Sequence, residues 1–303
     1  MIKILITTST FDKNIIDFYF KNKKKFKIIL NKTGQKVKET FLIKNIKDVD
    51  AVIAGTEIYN DKILATAKRL KLISRIGVGV DNIDQKCCKK YKIKVLSSKI
   101  ELSTGVAEHS LALIFSALKK INYFDNALKA NIWKKKNTNL LYEKKIGIIG
   151  FGKIGKKIYN LTRPFNLKYF YNDKIKLKNS DIKYKTIKEI FSICDIITLH
   201  LPFNKNTRKI IEKKILSNVS HKIILVNTSR GEIINEKDLF RFLIKNKESV
   251  ACLDVFEKEP YKGNLNKLSN IILTPHVSGY SFEIRNLMEK EAVKNIIDEF
   301  NKR

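Results

Sequence analysis

Short apolar runs alternate with stretches of helical periodicity along most of the chain. In the first hundred residues, runs such as Ile2–Thr7, Ala51–Ala54 and Leu72–Ile76 are each followed by an amphipathic stretch. Apolar runs of this length are typical of buried parallel strands, and helical connections between them place helices on both faces of one sheet. The pattern predicts a doubly wound parallel sheet that closes near residue 98.

A second series of alternating elements follows a long helical pattern over Thr104–Asn122 and a further helical segment that contains Trp133. The last stretch, Phe282–Phe300, again has helical spacing. We therefore predict two α/β domains of parallel-sheet type with a cleft between them. One is a flavodoxin-like domain of residues 1–99 plus 283–303, and the other is a Rossmann domain of residues 100–282.

Composition narrows the class of protein. No run approaches the roughly 18 apolar residues that span a bilayer, and the N-terminal segment is too polar for a signal peptide. The cysteines lack C-x-x-C spacing, which indicates reduced thiols, a cytoplasmic location and no metal site. The net charge of +31 comes from lysines spread over the whole chain, without a basic tract interleaved with aromatic residues. We therefore expect neither a nucleic-acid partner nor a membrane.

A glycine-rich turn carries the first chemical signal. The apolar run at Ile146–Ile149 ends in a G-x-G-x-x-G formed by Gly150, Gly152 and Gly155, and a helical stretch follows. Such a turn lets a backbone approach a pyrophosphate that the helix N-terminus then binds. A second apolar run ends at Asp173, 18 residues after Gly155, close to where an acid binds the ribose hydroxyls of NAD. This combination predicts a dinucleotide site.

Three further strand ends carry polar residues. The strand at Ile223–Asn227 leads to Arg230, the strand at Val250–Val255 is followed by Glu259, and the strand at Ile271–Thr274 delivers His276. Ligands bind at the carboxyl ends of strands in open α/β sheets. Each residue alone could cap a turn or lie in a loop, but the ordered set behind a dinucleotide turn predicts a catalytic site.

These motifs resemble those of the D-isomer-specific 2-hydroxyacid dehydrogenases over nearly the whole chain, and within that family most resemble the short phosphoglycerate dehydrogenases. The matching segments are SRIGVGVDNID (Ser74–Asp84), VAEHSLAL (Val106–Leu113), GIIGFGKIG (Gly147–Gly155), LHLPFNKNTR (Leu199–Arg208), VNTSRGEIINE (Val226–Glu236), LDVFEKEP (Leu253–Pro260) and LTPHVSGYS (Leu273–Ser281). The motifs are specific for the family and much less so for the substrate.

The resemblance implies an NAD-dependent enzyme that moves a hydride between cofactor and the C2 atom of a small anionic acid. His276 would be the acid–base group, Glu259 would orient its ring and favour the protonated form, and Arg230 would bind the substrate carboxylate. The backbone of Val78 and Gly79 would take the other side of that carboxylate. The cofactor-contacting positions implied by the family pattern, besides the three glycines and Asp173, are Lys153, Ile154, Pro202, Thr228, Ser229, Arg230, Asp254, His276 and Gly279.

The substrate expected from the resemblance is the 3-phosphoglycerate/3-phosphohydroxypyruvate pair of serine biosynthesis, with Arg75 as the candidate phosphate contact. Reduction of hydroxypyruvate or glyoxylate is the alternative, and an NAD-sensing binding protein or corepressor of the same fold is a further one. The resemblance also implies a homodimer formed through the Thr104–Asn122 helix and the Trp133 region.

Overall fold

The structure is a computed structural model that describes residues 1–20, 24–177 and 181–301. The chain divides into two compact units, one formed by Met1–Leu102 with Ser281–Arg303 and the other by Ser103–Tyr280. Each unit has its own parallel sheet, and the prediction of two α/β parallel sheets is confirmed. No helix among the described residues is long and apolar enough to cross a membrane.

In the first unit, the described residues form a five-stranded sheet of order β2-β1-β3-β4-β5. Its elements, in chain order, are β1 (Ile2–Ile6), α1 (Lys13–Phe20), β2 (Phe26–Leu30), α2 (Glu39–Ile46), β3 (Ala51–Ala54), α3 (Asp61–Leu64), β4 (Leu72–Arg75), α4 (Gln85–Lys90) and β5 (Lys94–Ser97), closed by α11 (Phe282–Asn301).

The central strands of this sheet are buried on both faces. Every residue of β3 is buried, and α11 places Met288, Ala292 and Ile296 in the same core as Ile4. Residues spaced four apart lie on one side of a helix, so α11 covers the sheet with a single apolar stripe. The chain runs from β1 to β2 on one side and then returns to β3 on the other, so the strand order reverses between β1 and β3.

In the second unit, the described residues form a seven-stranded sheet of order β12-β11-β10-β9-β6-β7-β8, which is the Rossmann order with one added strand. Its elements are α5 (Ser103–Lys119), α6 (Ile121–Lys129), β6 (Lys145–Ile149), α7 (Lys153–Thr162), β7 (Lys168–Asn172), β8 (Lys183–Tyr184), α8 (Ile187–Ile193), β9 (Ile196–Leu199), α9 (Lys213–Leu216), β10 (Ile224–Asn227), α10 (Glu236–Lys245), β11 (Val250–Leu253) and β12 (Ile271–Leu273).

Two predicted helical features need correction. The helix predicted over Thr104–Asn122 ends at Lys119, because Lys120 adopts a left-handed backbone with φ of +53° and α6 begins after it. Trp133 does not belong to a helix, since α6 ends at Lys129. Apolar spacing continues across this break, so periodicity alone did not reveal it.

Candidate active site

The glycine-rich segment after β6 has the backbone geometry of a dinucleotide-binding turn. Gly150 has a φ of +91°, and a Cβ built on it would lie 2.5 Å from the carbonyl oxygen of His200. A Cβ on Gly155 would lie 2.5 Å from the carbonyl oxygen of Gly150, so α7 approaches the turn at a distance that only glycine permits. A Cβ on Gly152, in contrast, would meet no described atom within 4 Å. The first and third glycines shape the turn, and the second leaves open space.

That open space suits a pyrophosphate. Gly152 is the N-cap of α7 and no described side chain caps the helix, so the first backbone N–H groups can bind an anion. Asp173 follows β7, and its Oδ2 accepts a hydrogen bond from the backbone N–H of Phe151 at 2.7 Å. Its Oδ1 accepts from the N–H of Ile175 at 3.1 Å. The carboxylate is therefore held at the turn with lone pairs left for ribose hydroxyls, and these residues fit a dinucleotide.

Arg230 lies in a turn that the end of β10 organises. The buried side chain of Asn227 donates to the carbonyl oxygen of Arg230 at 2.9 Å and accepts from the N–H of Ser229 at 3.1 Å. The next residue, Gly231, packs against the loop after β11, because a Cβ on it would lie 1.9 Å from the carbonyl carbon of Phe256. Sequence reasoning did not nominate Asn227, although a polar residue that ends an apolar strand is a signal for such a role.

Glu259 and His276 form a direct pair. The Nδ1 atom of His276 lies 2.9 Å from Oε2 and 3.1 Å from Oε1 of Glu259. The carboxylate also accepts from the backbone N–H of Phe256 at 3.2 Å. Because a carboxylate only accepts hydrogen bonds, Nδ1 must carry the proton, and Nε2 is the nitrogen that can exchange a proton with a bound molecule.

A second carboxylate fixes the backbone that carries His276. Asp254 is fully buried, and its Oδ1 accepts from the hydroxyl of Thr274 at 2.6 Å and from the N–H of Val277 at 2.9 Å. Its Oδ2 accepts from the N–H of Ser278 at 2.8 Å. These bonds hold the residues on either side of His276, whose own φ is +57°, an uncommon value for a residue other than glycine.

His109 on α5 extends this network. Its Nε2 lies 3.1 Å from the hydroxyl oxygen of Thr274, which donates its own proton to Asp254. Nε2 is therefore the donor in this contact. Sequence reasoning placed Asp254 near the nicotinamide end of a cofactor but did not identify its bonds to this loop or the contribution of His109.

The other predicted contacts of the second unit lie at the carboxyl ends of strands. Thr228 is buried next to Ser229, and its hydroxyl donates to Ser110 on α5 over 2.9 Å. Pro202 follows β9, and Gly279 lies in the turn after His276. Lys153 and Ile154 begin α7 directly after the glycine turn.

The remaining predicted residues belong to the first unit. Arg75 ends β4, and its guanidinium lies over the following turn, since a Cβ on Gly77 would meet its Nη1 at 1.5 Å. Val78 is half-exposed in this turn, and Gly79 comes next to it. The described residues contain no group of His, Cys, Asp and Glu side chains that could hold a metal ion.

Comparison with known families gives one match that covers most of the second unit. Residues 111–278 match the family model described as "D-isomer specific 2-hydroxyacid dehydrogenase, NAD binding domain". The match includes the glycine turn and every residue of the His276, Glu259 and Arg230 set.

Individual relatives match most of the chain. The hydroxypyruvate reductase of Thermotoga maritima is 31% identical over 292 residues, which cover 92% of this chain and 95% of that protein. The D-3-phosphoglycerate dehydrogenase of Methanocaldococcus jannaschii is 35% identical over 245 residues, which cover 78% of this chain and 47% of that longer protein. Among solved structures, NAD+-bound 3-phosphoglycerate dehydrogenase of Entamoeba histolytica matches with a TM-score of 0.81 and 27% identity, over 99% of this chain and 95% of that one.

Proposed function

The chain belongs to the D-isomer-specific 2-hydroxyacid dehydrogenases and its cofactor is NAD, and on that premise we propose that Arg230, Glu259 and His276 carry its hydride-transfer chemistry. When bound, the nicotinamide accepts or supplies the hydride. The observation that supports this proposal best is the His276–Glu259 pair, with Nδ1 and Oε2 2.9 Å apart, in the same domain as the dinucleotide turn.

His276 acts on the proton that accompanies the hydride. In the reducing direction its protonated Nε2 donates to the C2 carbonyl oxygen of the acid, and in the oxidising direction the neutral Nε2 accepts the hydroxyl proton. Glu259 keeps the ring in the tautomer that leaves Nε2 toward the substrate, and its negative charge stabilises the imidazolium. Asp254 holds the loop, so that the ring orientation does not depend on His276 alone.

Arg230 binds the carboxylate of the acid and polarises its C2 carbonyl. A planar guanidinium presents parallel N–H donors that match a carboxylate. Asn227 and Gly231 fix the backbone on both sides of Arg230, so the side chain starts from a defined position. In the first unit, the backbone of Val78 and Gly79 is proposed as a substrate contact.

Two substrate pairs remain as candidates. The 3-phosphoglycerate pair of serine biosynthesis needs a cation for its phosphate, and the guanidinium of Arg75 at the end of β4 supports it. The hydroxypyruvate or glyoxylate pair needs no such cation. A buried carboxylate at the end of β3, Glu57, favours this second candidate.

The test of the proposed reaction is oxidation of NADH, followed by its absorbance, with hydroxypyruvate, 3-phosphohydroxypyruvate, glyoxylate and pyruvate. We expect turnover of at least one acid and a loss of about 10²- to 10⁴-fold in kcat for His276→Gln. His221→Gln is the matched control, because His221 bonds to the carbonyl of Cys194 at the amino ends of β9 and β10, whereas His276 follows the carboxyl end of β12. Equal rates for both variants would reject His276 as the acid–base group.

We also propose that the protein is a homodimer. Large apolar side chains in and after α6, including Leu128, Ile132 and Trp133, are more than half exposed, and Trp133 is 83% exposed. Apolar exposure of this extent marks an association surface. Light scattering should give twice the chain mass of 35.1 kDa, and Trp133→Glu should give the monomer mass. Phe18→Glu, which changes an equally exposed ring in the first unit, should leave the mass unchanged.

A further inference from the structure

Glu57 is an unusual residue in the first unit. Among the described residues, four carboxyl side chains are buried, and three of them have a nitrogen partner: Asp50 with Arg69, Glu289 with Arg285, and Asp254 with His109. Glu57 is only 3% exposed, yet no described Lys, Arg or His nitrogen lies within 4.0 Å of it. A buried carboxylate without a cation is costly, and this chain has 61 basic side chains that could supply one.

The hydrogen bonds of Glu57 all meet one oxygen. Oε1 accepts from the backbone N–H of Gly55 at 2.9 Å, from the hydroxyl of Tyr59 at 3.2 Å and from the hydroxyl of Thr7. Among the described residues, Oε2 receives no donor. The side chain is therefore fixed through one oxygen and has unused acceptor capacity on the other.

This group lies at the point of the first sheet where the strand order reverses. Thr7 and Thr8 follow β1, and Gly55 follows β3, so they lie at the carboxyl ends of the two strands between which the strand order reverses. Open α/β sheets bind ligands in the crevice at that point. The arrangement of Thr7, Thr8, Gly55 and Glu57 is called the β1–β3 crevice below.

The residues of the β1–β3 crevice pack closely together, and one hydroxyl among them has no hydrogen-bond partner in the described part of the chain. A Cβ built on Gly55 would lie 2.8 Å from Oε2 of Glu57 and 3.1 Å from Cγ2 of Thr8, so both side chains pack closely against the backbone of Gly55. The hydroxyl of Thr8, a residue that is 5% exposed, has no hydrogen-bond partner among the described residues. A buried hydroxyl without a partner is destabilising, and a bound polar group would supply the missing bond.

We propose that the β1–β3 crevice binds the acid on which the protein acts, and that Glu57 makes this site selective for an uncharged hydrogen-bond donor, such as the C3 hydroxyl of hydroxypyruvate, against a phosphate. The proposal rests on the reaction proposed above. The ligand hydroxyl would donate a hydrogen bond to Oε2 of Glu57 and accept one from the hydroxyl of Thr8, so that both side-chain atoms would have a partner. A phosphate dianion would place like charges a few ångströms from a buried carboxylate, where repulsion is weakly screened.

Glu57→Gln tests the role of the carboxylate charge, because glutamine keeps the shape of the side chain and an oxygen that can accept from the three donors on Oε1. Wild-type protein should have a higher kcat/KM for hydroxypyruvate than for 3-phosphohydroxypyruvate. Glu57→Gln should shift that ratio by about tenfold or more toward the phosphorylated acid. Asp50→Asn is the matched control, since Asp50 is a buried acid at the other end of β3. A wild-type preference for the phosphorylated acid, or a Glu57→Gln ratio within about twofold of wild type, would overturn the proposal.

Thr8→Val tests the hydroxyl independently. It should lower the preference for hydroxypyruvate over pyruvate by about fivefold to tenfold without lowering the melting temperature, because the change removes a hydroxyl that has no partner in the described protein. An unchanged preference would contradict a role for Thr8 in the crevice.

Calorimetry separates this proposal from the proposed reaction. Binding of D-glycerate and of 3-phosphoglycerate to the NADH complex is measured for wild type and for Glu57→Gln. Wild-type protein that turns over none of the acids could still bind D-glycerate more tightly than 3-phosphoglycerate. If Glu57→Gln then reduces this difference in affinity, the crevice would be retained and the reaction rejected. Reduction of both hydroxypyruvate and 3-phosphohydroxypyruvate by NADH at rates that do not depend on Glu57 would retain the reaction and reject the crevice.

Discussion

The glycine turn permits a test in which two neighbouring positions should respond in opposite ways. Alanine at Gly150 must adopt a φ of +91°, outside the left-handed region that L-residues tolerate, at a cost of about 1–3 kcal/mol. Its Cβ would also lie 2.5 Å from the carbonyl oxygen and 2.6 Å from the carbonyl carbon of His200. Such overpacking against backbone costs about 1–3 kcal/mol, so Gly150→Ala should destabilise the domain by about 2–6 kcal/mol in total.

Alanine at Gly152 should leave the fold unchanged and reduce cofactor binding. Gly152 has a φ of −77°, and its Cβ would meet no described atom within 4 Å. The expected change in the free energy of unfolding is within about 0.5 kcal/mol. The added methyl group would occupy the space through which the backbone approaches the pyrophosphate, and the Kd for NADH should rise at least about tenfold, which is about 1.4 kcal/mol.

The two effects are measured separately, by chemical denaturation without cofactor and by NADH fluorescence titration. Gly150→Ala should unfold at a clearly lower denaturant concentration than wild type, and Gly152→Ala at nearly the same concentration. The reasoning would be refuted if Gly150→Ala lost less than about 1 kcal/mol, if Gly152→Ala were equally destabilised, or if Gly152→Ala bound NADH with wild-type affinity.

Three further predictions concern other residues. Asp173→Ala should shift the ratio of kcat/KM values toward NADP by about tenfold, because the carboxylate repels a 2′-phosphate; unchanged discrimination would reject its assignment to the ribose. Arg230→Gln should lower kcat/KM for the 2-oxo acid by at least about tenfold to a hundredfold through loss of a charged hydrogen bond, with the Kd for NADH nearly unchanged; a comparable loss of NADH binding would contradict the assigned role. Burial lowers the pKa of His200 to about 3, below its unfolded value of about 6.5. As the pH falls, the unfolded state therefore binds a proton before the folded state does. The stability that is present above pH ~6.5 is lost as the pH falls toward 3. His200→Gln should flatten this acid dependence in urea denaturation measured from pH 7 to pH 4, and a slope equal to that of wild type would show that His200 is not its source.

Much of the fold could be predicted from the sequence, because buried parallel strands are short apolar runs that differ clearly from the amphipathic helices between them. The run ending at Ile149 and the glycines after it predicted both a strand and the turn that follows it. The break at Lys120 was not accessible, since the apolar positions of α5 and α6 continue in phase across it. A left-handed lysine has no local sequence signal comparable to that of glycine.

The candidate site could be predicted from the sequence only where strands that are consecutive in the chain are also neighbours in the sheet. Arg230, Glu259 and His276 follow β10, β11 and β12, which are neighbours in the sheet, so their proximity could be expected. The His276–Glu259 contact agrees with that expectation, while the roles of the three residues stay predictions. The donors to a buried carboxylate come from whichever backbone packs against it, and neither residue type nor spacing identifies them.

Asp254 and Glu57 show why the donors to a buried carboxylate matter for its function. Both are buried acids near the carboxyl edge of a parallel sheet, and in the sequence each is an acid beside an apolar run. Both oxygens of Asp254 receive hydrogen-bond donors from Thr274, Val277 and Ser278, so the carboxylate is satisfied within the protein and serves to fix a loop. Glu57 has three donors on one oxygen and, among the residues that the structure describes, no cation within 4.0 Å; the neighbouring hydroxyl of Thr8 has no partner among the same residues. Because a buried polar group is stabilised by a bonding partner, we predict that Glu57 takes part in the recognition of a ligand, whereas Asp254 holds the loop that carries His276.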